Sequence, residues 1–169
     1  PPARSAAPPP PLAGRFPRAR GLCEQPVPKG KRVGIITKAG GPAILCTDAC
    51  EAGGLFVPEL SNATTTALSA FLPPAASLKN PVDLIASATP DHYTCAITTL
   101  LASKEIDALL VLYISVTVGD AAGIANGILR GISTARQAGG AGIPSYTCWR
   151  AEGELERTLQ EAGERTQRF

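Results

Sequence analysis

Short apolar runs recur along the chain, and each of them predicts a β-strand. The run 32–37 is β-branched and leads into two glycines, which is typical of a buried strand entering a tight turn. The run 108–114 is the most apolar of the chain and lacks polar alternation, so it predicts a central parallel strand covered on both faces. Further strands are predicted at 55–57, 145–149 and, as an edge strand, 164–169.

Segments with helical periodicity separate these runs. Five helices are predicted: 43–52, a second from Asn62 as cap to Pro73, a third from Thr89 as cap with Pro90 at its first position, 120–138 and 154–162. Their inward faces are predicted to carry Ile44, Leu45 and Ala49 in the first, Leu68, Phe71 and Leu72 in the second, Tyr93, Ala96, Ile97, Leu100 and Leu101 in the third, Ile124, Ile128, Ile132 and Ala135 in the fourth, and Leu155 and Leu159 in the fifth. The segment 75–87 is predicted to be a loop.

This alternation of strands and helices defines the predicted fold class. In a chain of this length it implies a parallel sheet with right-handed crossovers. Five strands favour a flavodoxin-like, doubly wound α/β fold with helices on both faces of the sheet over a full dinucleotide-binding fold.

Composition sets the limits of this domain. The 169 residues suit one domain, and prolines crowd the first part, so residues 1–24 are predicted to be a Pro/Ala/Arg-rich linker or extension and 25–169 the domain. A net charge of +2 argues against a nucleic-acid partner, and no apolar run is long enough to span a membrane. Five cysteines without a C-x-x-C pair indicate reduced thiols, which favours a cytoplasmic protein.

Two helix starts are candidate ligand sites, because ligands of doubly wound sheets gather beyond the carboxyl ends of the strands. The loop of residues 38–43, called the glycine loop below, places Gly40 and Gly41 before a helix whose free N–H groups suit an anion. The same residues also suit a tight turn with no ligand. The segment Thr117-Val118-Gly119 begins a second helix, where anion binding and simple capping are both open.

No catalytic residue or metal ligand emerges from the remaining polar residues. His92 is the only histidine, and it is predicted to lie on a solvated helix surface. The acids Asp48, Glu51 and Asp83 lack the spacing of metal ligands, and no Ser-His-Asp or Cys-His arrangement is present.

Several segments together resemble a known family. They are Gln25-Pro26-Val27-Pro28-Lys29-Gly30-Lys31-Arg32-Val33-Gly34-Ile35-Ile36-Thr37-Lys38-Ala39-Gly40-Gly41-Pro42, then 72–77, then Lys79-Asn80-Pro81-Val82-Asp83-Leu84, then 88–93, and finally 159–163 with Arg168-Phe169. The chain thereby resembles the last flavodoxin-like (ligase-CoA) domain of ADP-forming acetyl-CoA synthetases, which corresponds to the carboxyl-terminal domain of the succinyl-CoA synthetase β subunit.

The resemblance implies a domain of a ligase that interconverts acyl-CoA, nucleoside diphosphate and phosphate with carboxylate, CoA and nucleoside triphosphate through a phosphohistidine. It implies that Gly40, Gly41, Pro42 and Asn80 bind a small carboxylate, and that the helix start at Thr117, Val118 and Gly119 faces the phosphohistidine. Partner domains would carry CoA, the phosphohistidine and, on an ATP-grasp domain, ATP or ADP with Mg²⁺. This domain alone would bind no cofactor and complete no reaction.

The chain departs from the family pattern at several positions. The family usually has Asn where Lys38 stands and Gly where Ala43 stands, and the loop after the third strand lacks the usual proline. An alternative from the same parentage is a non-catalytic regulatory module fused to a protein lysine acetyltransferase. A free-standing flavodoxin-like FMN or receiver protein is disfavoured, because Thr37-Lys38 replaces an acidic cluster and Ala-Gly-Gly-Pro replaces a hydroxyl-rich phosphate loop.

Overall fold

A computed structural model of the chain describes residues 26–114, 121–140, 142–150 and 165–168. The described strands are β1 (Val33–Thr37), β2 (Val82–Asp83), β3 (Ala108–Ile114), β4 (Ser145–Arg150) and β5 (Arg165–Arg168). The described helices are α1 (Gly40–Ala52), α2 (Asn62–Ser69), α3 (Pro90–Ala102) and α4 (Ala121–Ala135), followed by a π-helical turn at Arg136–Gly140.

The strands form a parallel five-stranded sheet in the order β2-β1-β3-β4-β5. This order is that of flavodoxin-like doubly wound sheets, in which the chain leaves β1 first to one side and then to the other. The order of the strands therefore reverses between β1 and β3. The predicted α/β class is confirmed, and the predicted helix at 154–162 lies outside the described residues.

Alternate residues of the strands pack into two separate cores. Val33, Ile35 and Leu112 form the smaller core together with Cys50 of α1. The opposite side of the sheet contributes to a larger core with α2, α3 and α4; its members are Ile36, Leu68, Leu72, Val82, Leu84, Tyr93, Ala96, Ile97, Leu100, Leu101, Ile106, Leu109, Val111, Tyr113, Ile124, Ala125, Ile128, Ile132 and Ala135. Both faces of the sheet are covered, which explains why the run 108–114 shows no polar alternation.

Helices α3 and α4 pack closely because glycines face α3. A Cβ added to Gly127 would collide with the backbone carbonyl of Pro90, and one added to Gly131 would lie 2.9 Å from the Thr94 carbonyl oxygen. The Thr94 hydroxyl donates to the Gly127 carbonyl at 2.9 Å. The predicted inward faces of both helices are confirmed, since every residue named for them is buried.

The predicted inward face of α1 is wrong. Ile44 and Leu45 are 64% and 71% exposed, and the helix instead buries Ala43 and Cys50. The two buried side chains lie seven residues apart, so they occupy one face, and their small size brings α1 close to the sheet. A similar shift of one residue occurs at α2, where the hydroxyl of Ser61 and not Asn62 caps the helix by accepting from the Thr64 N–H.

The predicted strand at 55–57 is also wrong, and a strand lies inside the predicted loop 75–87. Phe56 forms a single bridge with Arg32, in which its carbonyl accepts from the Val33 N–H at 2.7 Å. The next position along the edge of β1 is occupied by the side chain of Asn80, so the ladder cannot continue with Val57. Further along, β2 pairs with β1 through Val82 and Asp83.

Candidate functional site

The carboxyl ends of β1, β2 and β3 lie at one edge of the sheet, and the glycine loop leaves β1 there. Buried Thr37 is the last residue of β1, and its hydroxyl holds the start of the glycine loop in place. Its hydroxyl accepts from the Ala39 N–H at 3.0 Å and is 3.1 Å from the Ala39 carbonyl oxygen. Only Lys38 and Ala39 separate the strand from α1, so the amino terminus of α1 is held directly above the end of β1.

The amino terminus of α1 has no cap of its own. Its N-cap residue, Ala39, has no side chain that can accept a hydrogen bond, and the first turn contains no acidic residue. Gly40 and Gly41 are exposed, and a Cβ added to Gly41 would have no neighbour within 4 Å. The N–H groups of a first helical turn lack intrahelical partners, and the helix dipole favours negative charge there. The glycine loop therefore offers open space and free donors to an anion.

Asp83 brings a carboxylate to the other side of this loop. It pairs with Thr37 across the β1–β2 ladder, and one carboxylate oxygen accepts from the Ile85 N–H at 2.9 Å. Its second oxygen would lie 3.3 Å from a Cβ at Gly40. Ile85 adopts a φ of +62°, which is unusual for a β-branched residue. Sequence reasoning missed Asp83 as a site residue, although the Asn-Pro-Val-Asp segment carries the signal.

Lys38 and Tyr113 meet where the strand order reverses. The Lys38 ammonium nitrogen lies 5.1 Å from the centroid of the Tyr113 ring, within the range of a cation–π contact. Tyr113 is 2% exposed, so its ring is a fixed platform for the half-buried lysine. No carboxylate of the described residues lies within ion-pair distance of Lys38. The site thus includes a positive charge that these residues leave without a counter-ion.

Tyr93 belongs to the same core cluster as Tyr113 and carries a buried hydroxyl. It is fully buried, and its hydroxyl has no hydrogen-bond partner among the residues that the structure describes. Burial raises its pKa, and the nearby phenol of Tyr113 and the charge of Asp83 raise it further. The Tyr93 hydroxyl is therefore a neutral group inside the core.

The sequence-predicted site residues do not all share this surface. Gly40, Gly41 and Pro42 form the first turn of α1. Asn80 lies before β2 and uses its amide on the backbone: its Oδ1 accepts from the Ile35 N–H at 2.9 Å, and its Nδ2 donates to the carbonyls of Val33 and Pro58 at 2.9 and 3.0 Å. The three residues Thr117, Val118 and Gly119 lie outside the described residues.

His92 takes part in capping the amino terminus of α3. Its Nδ1 accepts from the Thr89 N–H at 3.3 Å, while the Thr89 hydroxyl accepts from the His92 N–H at 3.3 Å, which together form a capping box. The predicted cap at Thr89 with Pro90 in the first turn is confirmed. The imidazole thus holds a helix end in this structure.

Thiols and acids offer little further chemistry. Burial raises the pKa of the Cys46 thiol to about 12, so it is a poor nucleophile. Within the described ranges, no group of three or more His, Cys, Asp or Glu side chains is arranged to hold a metal ion. None of the described helices combines the length and apolar character that a bilayer crossing requires.

The fold is an α/β domain with an open helix start at its strand reversal, and comparison with known proteins identifies its family. Residues 33–162 match the Ligase-CoA domain family. The chain is 44% identical over 88 residues to the α subunit of ADP-forming acetate–CoA ligase II of Pyrococcus furiosus, covering 52% of this chain and 19% of that subunit.

Solved structures agree with this match. The apo form of the dinucleotide-forming acetyl-coenzyme A synthetase 1 of Ca. Korarchaeum cryptofilum superposes with a TM-score of 0.82 at 26% identity, covering 93% of this chain and 34% of that one. The same synthetase in complex with phosphate and ADP gives a TM-score of 0.81 at 26% identity, covering 92% of this chain and 33% of the synthetase chain. The chain thus spans about a third or less of these relatives.

The chain belongs to the Ligase-CoA domain family, in the form found in ADP-forming acetyl-CoA synthetases.

Proposed function

We propose that this chain supplies the acyl-carboxylate loop of an ADP-forming acyl-CoA synthetase. The observation that carries the proposal is the open amino terminus of α1. It has no side-chain cap, two exposed glycines and no acid in its first turn, and it stands at the sheet edge where doubly wound folds bind ligands. A turn that served the fold alone would gain from a capping side chain, since replacing such a cap by alanine costs about 1 kcal/mol.

The substrate carboxylate would lie against the first turn of α1. Gly40 and Gly41 carry no side chains, so a ligand can approach their backbone N–H groups closely. Pro42 has no N–H to offer, and its fixed φ suits the first turn of a helix. Asn80 would act behind the site, because its amide joins β1 to the segment before β2 and so fixes the position of Asp83.

The rest of the reaction would take place with other domains. Partner domains or subunits would bind CoA and the nucleotide with Mg²⁺ and would carry the phosphohistidine. The helix start at Thr117, Val118 and Gly119 would face that phosphohistidine. The P. furiosus relative is an ADP-forming ligase subunit, and the Ca. Korarchaeum cryptofilum relative has been solved with phosphate and ADP. Both support a ligase over the regulatory alternative.

The test is a reconstitution. The purified 169-residue chain, supplied with acetate, CoA, ATP and Mg²⁺, should form no acetyl-CoA, because it lacks the nucleotide and phosphohistidine domains. The complete parent protein should form acetyl-CoA and ADP, and removal of residues 26–169 from it should abolish turnover while leaving ATP binding intact. Steady turnover by the chain alone, or by the parent without these residues, would refute the proposed division of labour.

A further inference from the structure

We propose that two copies of this chain associate through the outer faces of their α1 helices, and that Asp48 of each copy caps the amino terminus of the other copy's α1. The dimer does not depend on the proposed function, because it requires only that the start of α1 is open. One consequence of the dimer does rest on that function: Asp48 would occupy the place of the substrate carboxylate.

The outer face of α1 is apolar where a solvent-exposed helix face is usually polar. Ile44 and Leu45 are 64% and 71% exposed, and they lie next to each other on the side of the helix that faces away from the sheet. No charged residue occurs between Lys38 and Asp48. The apolar pattern predicts burial for Ile44 and Leu45, which the described fold does not provide. A second surface against α1 would bury both side chains.

The spacing along this face is symmetric, as a pair of identical antiparallel helices requires. Gly41 lies three residues before Ile44, and Asp48 lies three residues after Leu45. All four residues are exposed, and positions with this spacing share one face of a helix. If the two-fold axis passes between Ile44 and Leu45, the apolar pairs of the two copies meet, and the partner's Asp48 lies opposite Gly41. One face thus supplies both halves of the contact, which favours a second copy as the occupant.

The two facing positions are also complementary in charge. The amino terminus of α1 has no capping side chain and no acid in its first turn, so its free N–H groups and the helix dipole favour a carboxylate. An added Cβ at Gly41 would meet no atom within 4 Å, so a carboxylate has room to approach. The partner's Asp48 would bring that carboxylate, and aspartate is among the best residues for capping a helix amino terminus.

The first experiment measures the association itself. A contact of one helix from each copy is small, so the dimer should be weak and reversible. Sedimentation velocity of the 169-residue chain should show a monomer–dimer equilibrium between about 1 µM and 1 mM. Leu45→Ala should weaken the dimer at least about tenfold, because the buried leucine surface is lost. Val27→Ala is the matched control, since Val27 is 65% exposed outside α1 and its loss should change nothing.

The second experiment measures the charge at the helix start. Asp48→Asn should weaken the dimer about threefold to thirtyfold, because a charge at a helix amino terminus is lost at both symmetric contacts. Glu59→Gln removes the same charge from an exposed position outside α1 and should have no effect. In amide NMR spectra of the ¹⁵N-labelled chain, dilution should shift the signals of Gly40 and Gly41.

Each part of the proposal can fail separately. A chain that stays monomeric up to about 1 mM would overturn the dimer and leave the apolar face to another domain of the parent protein. A dimer that Leu45→Ala does not weaken would overturn the role of α1, and one that Asp48→Asn does not weaken would overturn the cap. Acetate added at constant ionic strength should dissociate the dimer, because it competes with Asp48 for the same N–H groups. A dimer that withstands acetate would refute the proposed carboxylate site and leave the association standing.

Discussion

Gly41→Ala separates the role of the glycine loop in binding from its role in the fold. Gly41 does not adopt a positive φ, and an added Cβ would meet no atom within 4 Å. Alanine should therefore raise the free energy of unfolding by about 0.5–1 kcal/mol, because it restricts the unfolded chain without straining the folded one. For a chain of this length the melting temperature should rise by about 1–4 °C.

The same methyl group would occupy the space above the first turn of α1 where the carboxylate is proposed to lie. In the complete parent enzyme, Gly41→Ala should raise KM for the carboxylate about tenfold, the loss expected when a hydrogen bond to a charged group is prevented. The KM values for CoA and ATP should not change, since those substrates bind other domains. The assay pairs steady-state kinetics for each substrate with a melting curve of the same variant.

Gly54→Ala is the matched control. Gly54 follows α1 with a φ of +76°, and its added Cβ would also have no neighbour within 4 Å. Alanine there should lower the free energy of unfolding by about 1 kcal/mol through backbone strain alone and leave every KM unchanged. Gly40→Ala is a less informative variant, because its methyl group would press on Asp83. Unchanged carboxylate kinetics in a stable Gly41→Ala enzyme would mean that the loop is a turn without a ligand.

Three further predictions test the scaffold. Arg32 lowers the pKa of Asp107 from 3.8 to about 2, so Asp107 stabilises the fold fully above pH 3.8 and loses this effect as the pH falls towards 2. Acid titrations monitored by circular dichroism should show that the Asp107→Asn variant is less stable than the unmodified chain at pH 7. Its stability should also change less than that of the unmodified chain between pH 3.8 and about pH 2. Gly127→Ala should lower the unfolding free energy by about 1–3 kcal/mol in chemical denaturation, because α3 and α4 would be overpacked; an unchanged midpoint would contradict the close packing. His92→Ala should cost about 0.5 kcal/mol through half of the capping box and leave phosphoenzyme formation in the complete enzyme intact; loss of the phosphoenzyme would reassign the nucleophile.

The elements with strong periodicity could be predicted from the sequence. The strands at 32–37, 108–114 and 145–149 were predicted within one residue at either end, and the buried faces of α3 and α4 were predicted residue by residue. These segments bury large side chains at regular spacing, so local pattern and tertiary packing agree. Helix α1 is different, because it packs through Ala43 and Cys50, whose small side chains give a weak pattern beside Ile44 and Leu45.

The edge of the sheet could not be predicted, because it depends on contacts between distant segments. The run 55–57 is more apolar than Val82-Asp83, yet the second of these pairs with β1. The deciding contact is the Asn80 amide, which binds the backbone of residues 47 and 45 positions earlier in the chain. The candidate site divides in the same way. The glycines follow from local sequence, whereas the pairing of Asp83 with Thr37 and the contact of Lys38 with Tyr113 follow from strand order.

The side chain of Asn80 and the bridge at Ser77 bond to backbone groups at the edge of the sheet, which affects aggregation at high protein concentration. An exposed edge strand offers unpaired backbone groups to other chains and so invites edge-to-edge aggregation. Here the terminal strand β2 has only two residues, and the outward N–H and C=O of Asp83 are already bonded to Ser77 at 3.0 and 2.9 Å. This end of the sheet therefore presents almost no template for a neighbouring chain, and the protein is protected there from sheet extension without a dedicated charged or proline-rich edge strand.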